Sequence, residues 1–237
     1  FSHERDGLEL LRAAVPDAPP YRVWTNFEVT KQDGGSFEVD ALVIGRRRIH
    51  LVELKHYSGM VHGDDQRWWQ KKLSGETRSM RHPNRLAAQK ARILKSRIIE
   101  VLPQVKQVCE EAGFSIPLEY LRAPWVQECT VLTNPNVLAD FTPLGERNVF
   151  GTNGSLADVT VRLTEEPDAT AYIDERFSQF LSLAIDKIAG YIPGDGKRAL
   201  GQWVVDEEDD RVDPFIYYNG HKKGNPEISV SLRALPT

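Results

Sequence analysis

The chain contains little cysteine and no long apolar segment, and both shortages narrow the class of protein. Only Cys109 and Cys129 occur among its 237 residues, and they form neither a CxxC pair nor a zinc-binding spacing. This usage predicts free thiols and a reducing, cytoplasmic setting. No run of about 18 apolar residues is present, so neither a membrane-spanning helix nor a membrane partner is expected. The opening residues are charged at once, unlike a secretion signal.

Several common functional motifs are also missing. No glycine-rich loop follows a predicted strand, which argues against a dinucleotide-binding fold or a P-loop. The six histidines are scattered along the chain, and no Ser/His/Asp order stands out. Residues that carry chemistry are therefore to be sought among the acids and lysines.

The net charge of −4 is unevenly distributed along the chain. Residues 41–107 contain fifteen Lys and Arg against five Asp and Glu, whereas residues 164–237 contain eight against fourteen. A basic half beside an acidic tail has two interpretations: a solvated helix face followed by an acidic linker, or a basic surface that contacts phosphates.

Apolar periodicity predicts an α/β domain with a mixed central sheet flanked by helices. The predicted helices cover residues 2–15, 85–102 and 172–189. The predicted strands cover residues 21–30, a hairpin within 37–55, and 125–133, with weaker strands at 149–150 and 159–161. We assign residues 1–193 to this domain. Because a Pro-Gly-Asp-Gly turn starts at Pro193 and an acidic run spans 206–210, residues 194–237 are assigned to an acidic linker and the start or edge of a following unit.

The predicted hairpin carries the main candidate site. Asp40 is placed at the start of its first strand, and Glu53 and Lys55 end its second. Side chains two apart on a strand share a face, so Glu53 and Lys55 project together, and antiparallel pairing about the Gly45–Arg48 turn brings Asp40 near Glu53. Folding does not require such charges, because buried charges are unfavourable unless they are paired or hold a metal. The structural alternative is an internal set of ion pairs.

Two groups of basic residues accompany this site. Arg46, Arg47 and Arg48 form the hairpin turn, and Arg85, Gln89 and Arg92 share one face of the next helix. The helix face is either solvated surface or a rail that positions a nucleic-acid backbone.

These residues resemble a known family. Val39-Asp40 and, one strand later, Glu53-Leu54-Lys55 resemble the PD-(D/E)xK nuclease superfamily. The wider context resembles the NERD (nuclease-related) domain through the run 37–40, the run 52–59, Trp69, and His82-Pro83-Asn84 followed by Gln89. Glu38 departs from this pattern, since the family commonly has Gln there.

The resemblance implies a restriction-endonuclease-like core that hydrolyses phosphodiester bonds of nucleic acid, with DNA favoured. Asp40, Glu53 and Lys55 match the family's central catalytic residues, and Gln89 matches its downstream catalytic Gln. Glu4 matches an acid of the first helix, which would join Asp40 and Glu53 in holding Mg²⁺ or Mn²⁺. The five arginines named above would then bind the nucleic acid.

The family often stands at the N-terminus of longer bacterial proteins, joined to kinase, helicase or other domains, some of them in phage-defence systems. The resemblance therefore implies further domains of the same polypeptide as partners, and an oligomer is compatible with it. Two functions remain open. The domain is either a metal-dependent nuclease or a non-cleaving module that binds nucleic acid or a partner for an attached kinase or helicase. The intact Asp40, Glu53 and Lys55 favour the nuclease.

Overall fold

The computed structural model describes residues 2–31, 34–152, 156–164, 172–190, 199–200, 203–212, 215–222 and 225–234, and the side chains of 5–31, 34–152, 158–164 and 172–190. The helices are α1 (Ser2–Ala14), α2 (Pro83–Glu111), α3 (Leu156–Thr164) and α4 (Glu175–Ala189), with a 3₁₀ turn at Leu118–Leu121. The first strands are β1 (Arg22–Thr30), β2 (Ser36–Ile44), β3 (Arg48–Lys55), β4 (Met60–Gly63), β5 (Arg67–Lys71) and β6 (Thr77–Arg81). They are followed by β7 (Trp125–Leu132), β8 (Leu138–Phe141), β9 (Val149–Phe150), β10 (Ala199–Leu200), β11 (Trp203–Val212), β12 (Phe215–Lys222) and β13 (Asn225–Ala234).

The main sheet has five strands in the order β1-β2-β3-β7-β9. Strands β1, β2 and β3 pair antiparallel, whereas β7 runs parallel to β3 and β9 parallel to β7. The predicted mixed central sheet is thereby confirmed. The hairpin turn closes at Gly45, whose N–H donates to the carbonyl of Arg48 at 2.9 Å.

The two faces of this sheet are covered by different helices. Leu42, Ile49 and Leu51 pack with α2 and α4 in one apolar cluster. Ala41, Val43 and Val52 pack with α1 and α3 in another. Because strand side chains alternate between faces, Glu53 and Lys55 follow Ile49 and Leu51 onto the face that α2 covers. Val39 and Leu42 both belong to the α2 cluster, so the alternation of β2 is interrupted at Asp40.

Helix α2 buries the predicted stripe of Ala87, Ala91, Leu94, Ile98 and Leu102. It begins where the Asn84 N–H donates to His82 Nδ1 at 3.1 Å, an N-terminal cap. The helix continues to Glu111, beyond the predicted end at 102, and Pro103 lies inside it.

The weak strand predicted at 159–161 is wrong, because these residues lie in α3. Val159 and Leu163 are both buried against the α1 side of the sheet. Their four-residue spacing is that of a helix face, and a window of three residues was too short to show it.

The remaining strands form two further sheets. One has the order β6-β5-β4-β8, and the other has the order β10-β11-β12-β13. The acidic run 206–210, which the sequence assigns to a linker or the edge of a following unit, lies within β11. The turn predicted at 193–196 falls outside the described residues. Across the described part of the chain, no helix combines the length and the apolarity needed to cross a bilayer.

Candidate functional site

Asp40 lies where the β2–β3 ladder ends. The last pair of the ladder is Ala41 with Val52. Beyond it, the Asp40 carboxylate accepts the N–H of Leu54 at 2.8 Å. A side chain thus replaces a strand partner, and the backbone donor fixes the carboxylate. Asp40 is in the middle of β2, not at its start as the sequence suggested, because β2 begins at Ser36.

Glu53 and Lys55 meet Asp40 at this point, as the two-residue spacing predicted. The Lys55 ammonium lies 3.2 Å from Glu53 Oε2 and 3.9 Å from Asp40 Oδ2. The Glu53 side chain is 7% exposed and that of Asp40 18%, whereas Lys55 retains 29%. Two carboxylates therefore converge in a partly buried place, with one ammonium between them and solvent.

A second lysine completes this group, and sequence reasoning missed it. The Lys90 ammonium, 13% exposed, donates to Glu53 Oε1, the oxygen that Lys55 does not bind. Lys90 is on α2, three residues after Ala87 and four before Leu94, both fully buried. That spacing puts it beside the buried stripe and was the available signal. We call Asp40, Glu53, Lys55 and Lys90 the charged cluster.

Gln89, the predicted catalytic residue of α2, is exposed, unlike its neighbour Lys90. The helix side chain that reaches Glu53 is that of Lys90. The catalytic role of Gln89 remains a prediction.

The charged cluster changes the pKa of Asp40 and that of Lys55. Burial, followed by the nearby Glu53 carboxylate, raises the pKa of Asp40 above its ordinary value of 3.8, against the opposing N–H of Leu54 and the two lysines. Burial alone would lower the pKa of Lys55, but the Glu53 and Asp40 carboxylates more than offset it, and the pKa of Lys55 is raised. Lys55 is therefore cationic at neutral pH, whereas the charged form of Asp40 is less favourable here than it would be in water.

The raised pKa of Asp40 gives a testable dependence of stability on pH. A carboxyl group whose pKa is higher in the folded state binds more protons there, so stability falls as the pH rises from the ordinary 3.8 through the raised value. Asp40→Asn mimics the protonated group and escapes this loss. We expect urea unfolding to show the variant gaining stability relative to wild type across that pH range. If the wild type instead gained stability relative to Asp40→Asn as the pH rises, the raised pKa of Asp40 would be contradicted.

The donor set suits a hard divalent cation. Two carboxylates at the point where the β2–β3 ladder ends supply oxygen ligands, and such ions retain waters at their other positions. Among the described side chains, no three acids, histidines or cysteines converge on one point. The predicted third ligand, Glu4, has its backbone in α1, but its side chain falls outside the described ones.

The backbone of α1 does approach this end of the sheet. A Cβ at Gly7 would lie 2.9 Å from Thr133 Cγ2 and 3.5 Å from Leu54 Cδ1, so glycine permits the close contact. Glu4 lies one turn before Gly7 in the same helix. Leu54 is on the face of β3 opposite Glu53 and Lys55, so α1 approaches this end of the sheet from its other face, and the role of Glu4 as a metal ligand remains a prediction.

The basic residues predicted to bind nucleic acid lie in two places. The Arg46–Arg48 turn is at the opposite end of β3 from Glu53, about 17 Å away along the strand. There the Arg46 guanidinium lies over the Tyr21 ring at 5.9 Å, and Arg48 donates to Gln127 at 3.5 Å. Arg85 and Arg92 are exposed on α2, with Arg85 one turn into the helix near the cluster end.

A mixed sheet flanked by helices on both faces is the architecture of a restriction-endonuclease-like core. The family model for the nuclease-related domain, NERD, matches residues 1–133, more than half of the chain. The chain therefore belongs to the nuclease-related domain family.

One relative is a protein named probable kinase PglW from Streptomyces coelicolor. It is 32% identical over 159 residues, which cover 67% of this chain and 9% of the relative's length. The match thus spans a small part of that relative's length. No solved structure matches.

Proposed function

We propose that this domain hydrolyses phosphodiester bonds of nucleic acid, with DNA favoured, and that Asp40 and Glu53, with Glu4, hold Mg²⁺ or Mn²⁺. The convergence of the Asp40 and Glu53 carboxylates on the Lys55 ammonium carries the proposal. The charged form of Asp40 opposes folding, because burial and the Glu53 carboxylate both disfavour it. Ionisable groups whose pKa is shifted by their surroundings are frequent at functional sites.

The residues have separable roles. The N–H of Leu54 orients Asp40, and Lys90 orients Glu53 from the helix side. Lys55 is the most exposed of the four and can hold the attacking water or balance charge that develops on the phosphate. The divalent cation, when bound, activates the water and neutralises the phosphate.

The direct test is incubation of the full chain with supercoiled plasmid DNA in Mg²⁺ or Mn²⁺, with EDTA as control. Nicked or linear products that appear only with the metal support the proposal. An intact plasmid, with single-stranded DNA and RNA also uncut under all metal conditions, would refute it.

A non-cleaving module is the second candidate, and Lys90 is the observation that favours it. With Lys90 on Oε1 and Lys55 on Oε2, both oxygens of Glu53 are engaged by ammonium groups. A metal must share these oxygens or displace a lysine. In this candidate the cluster is an internal ion-pair group, and the domain binds nucleic acid or a partner for an attached kinase or helicase.

Arg85 and Arg92 provide a test of nucleic-acid binding that does not depend on cleavage. Arg85→Ala with Arg92→Ala is expected to weaken binding to all sequences, since phosphate contacts carry no sequence information. In EDTA, the slope of log K against log salt for duplex DNA should fall by about 0.9 for each phosphate that the variant no longer neutralises. Lys106→Ala is a suitable control, because Lys106 is a cation near the other end of the same helix, where it forms an ion pair with Glu110. A double variant that keeps the wild-type slope would leave this face as solvated surface.

We also propose that residues 1–193 form the nuclease-like unit and that residues 194–237 belong to a separate, adjoining unit. Helix α4 supports this extent, because Phe177, Leu181 and Ala184 join the apolar cluster of α2. The separate sheet of β10–β13 supports the boundary. Further domains of the same polypeptide are the proposed partners, as in the long kinase relative, within a bacterial defence protein. A cytoplasmic location fits the free thiols of Cys109 and Cys129.

A further inference from the structure

The small sheet β6-β5-β4-β8 presents a face that neither the core nor the charged cluster uses. Strand alternation sends Val61, Trp68 and Gln70 inward, and all three are buried. The opposite face carries their neighbours on the same strands. Exposed there are Met60, Arg67, Lys71, Thr77, Ser79, Arg81, Leu138 and Asp140.

An aromatic pair lies in the middle of this outer face. Trp69 is directly opposite His62 in the β4–β5 ladder. Their rings stack with centroids 5.6 Å apart and planes 13° from parallel. The cross-strand neighbour of Trp69 on the other side is Ser79. Ser79 is small, the diagonal neighbours of Trp69 on β6 are Thr77 and Arg81, and the Trp69 side chain is half-buried.

Cations flank this aromatic pair. Arg67 is directly opposite Arg81 in the ladder next to Trp69, and Lys71 is on the same face of β5 beyond it. Like charges directly opposite each other destabilise a ladder, so folding gains nothing from the arginine pair. Charged residues commonly protect edge strands from aggregation, but Arg67 and Lys71 are on β5, an inner strand. One acid, Asp140, is beside His62.

The chain reaches this sheet directly from β3, since β4 begins five residues after Lys55. His62 follows Lys55 by seven residues, which limits the distance between their Cα atoms to about 25 Å. Tyr57, between them, packs edge-on against Trp68 at 6.5 Å. Gln70 of β5 donates to the carbonyl of Ser58 at 2.8 Å. A nucleic-acid strand bound on the outer face would thus have at most about 25 Å to cover from His62 to Lys55.

We propose that the outer face of this sheet is a binding site for single-stranded nucleic acid, with an unpaired base stacked on Trp69 and phosphates held by Arg67, Arg81 and Lys71. This rests on the proposed action on nucleic acid and adds the form of the substrate. Sheet surfaces with an aromatic ring amid cations bind single strands in this way, because every unpaired base offers a flat face. Bases inside a duplex are already stacked and are not available.

Trp69→Ala tests the proposal, with the full chain in EDTA and fluorescence anisotropy of a labelled single-stranded DNA as the measurement. The loss of one stacked base is expected to weaken binding roughly 5- to 150-fold. Trp69→Phe keeps a stacking ring and should restore most of the affinity. A duplex of the same sequence should bind Trp69→Ala as it binds wild type.

Trp125→Ala is the matched control. Trp125 is 57% exposed and has the Lys95 ammonium over its ring at 5.0 Å. It is the first residue of β7 and lies opposite Arg48, at the end of β3 that is far from the charged cluster. It should bind single strands as wild type does. Arg67→Ala with Arg81→Ala supplies an independent measurement, since the salt slope for single strands should fall by about 0.7 for each phosphate that the variant no longer neutralises.

The proposal is overturned if Trp69→Ala binds the single strand as wild type does, if Trp125→Ala loses more affinity, or if wild type does not bind. It is also overturned if Trp69→Phe fails to restore binding while retaining the thermal midpoint of wild type. Plasmid cleavage in Mg²⁺ separates the two ideas. Cleavage with unchanged binding by Trp69→Ala removes only the stacking site, whereas binding that depends on Trp69 without any cleavage removes only the nuclease.

Discussion

Lys55→Ala is expected to lower the rate of Mg²⁺-dependent plasmid cleavage by about 10²- to 10³-fold. A preorganised group that stabilises charge in the transition state contributes this much in a site that partly excludes water. Lys55 is so placed, because its ammonium contacts both carboxylates yet keeps the largest exposure within the charged cluster. The Lys90 ammonium contacts the other Glu53 oxygen from the side of α2, so it is not placed to take over the role of Lys55.

The control for this variant is Lys106→Ala, which removes another ion-paired lysine from the far part of α2 and should cleave as wild type does. The raised pKa of Lys55 implies a cationic side chain at neutral pH, so Lys55→Arg should retain more activity than Lys55→Ala. Lys55→Ala that cleaves at the wild-type rate would remove the lysine from the mechanism.

Glu53→Gln and Asp40→Asn are both expected to abolish Mn²⁺ binding, measured by titration calorimetry, while changing stability in opposite directions. Each removes one of two charged oxygen ligands. Asp40→Asn should hold or raise the stability of the metal-free protein, because it relieves repulsion with Glu53 and keeps an oxygen for the Leu54 N–H.

Glu53→Gln should lower that stability by about 2 kcal/mol. It leaves Lys55 and Lys90 beside an uncharged side chain, and the removal of one partner from a buried ion pair is strongly destabilising. We expect less than the full effect, because Lys55 is 29% exposed and Asp40 remains nearby. Denaturation with and without Mn²⁺ measures both quantities. Unchanged Mn²⁺ affinity in both variants would remove the metal-site assignment. Glu53→Gln as stable as wild type would show that the lysines do not depend on Glu53.

Local spacing in the sequence predicted the central geometry. Glu53 and Lys55 are two residues apart on a strand, and a hairpin of fixed register sets the residue opposite Glu53, so the approach of Asp40 followed from the chain alone. The buried stripe of α2 followed in the same way from its helical period.

The sequence predictions were wrong where they depended on only three residues or on the exact end of an element. The strand predicted at 159–161 is part of α3, and Asp40, predicted at the start of a strand, is in the middle of β2. Propensity is weak over so few residues, and tertiary packing overrides it.

By itself, the sequence determined the α/β class, the hairpin and the meeting of Asp40, Glu53 and Lys55, because these depend on periods of two and 3.6 residues along the chain. Only the tertiary structure showed that Lys90, not Gln89, reaches Glu53, since the choice depends on the rotation of α2 against the sheet. It also showed that the Arg46–Arg48 turn is at the opposite end of β3 from the cluster. The stacking of Trp69 on His62 depends on the register of β4 with β5, which no local pattern of the chain specifies.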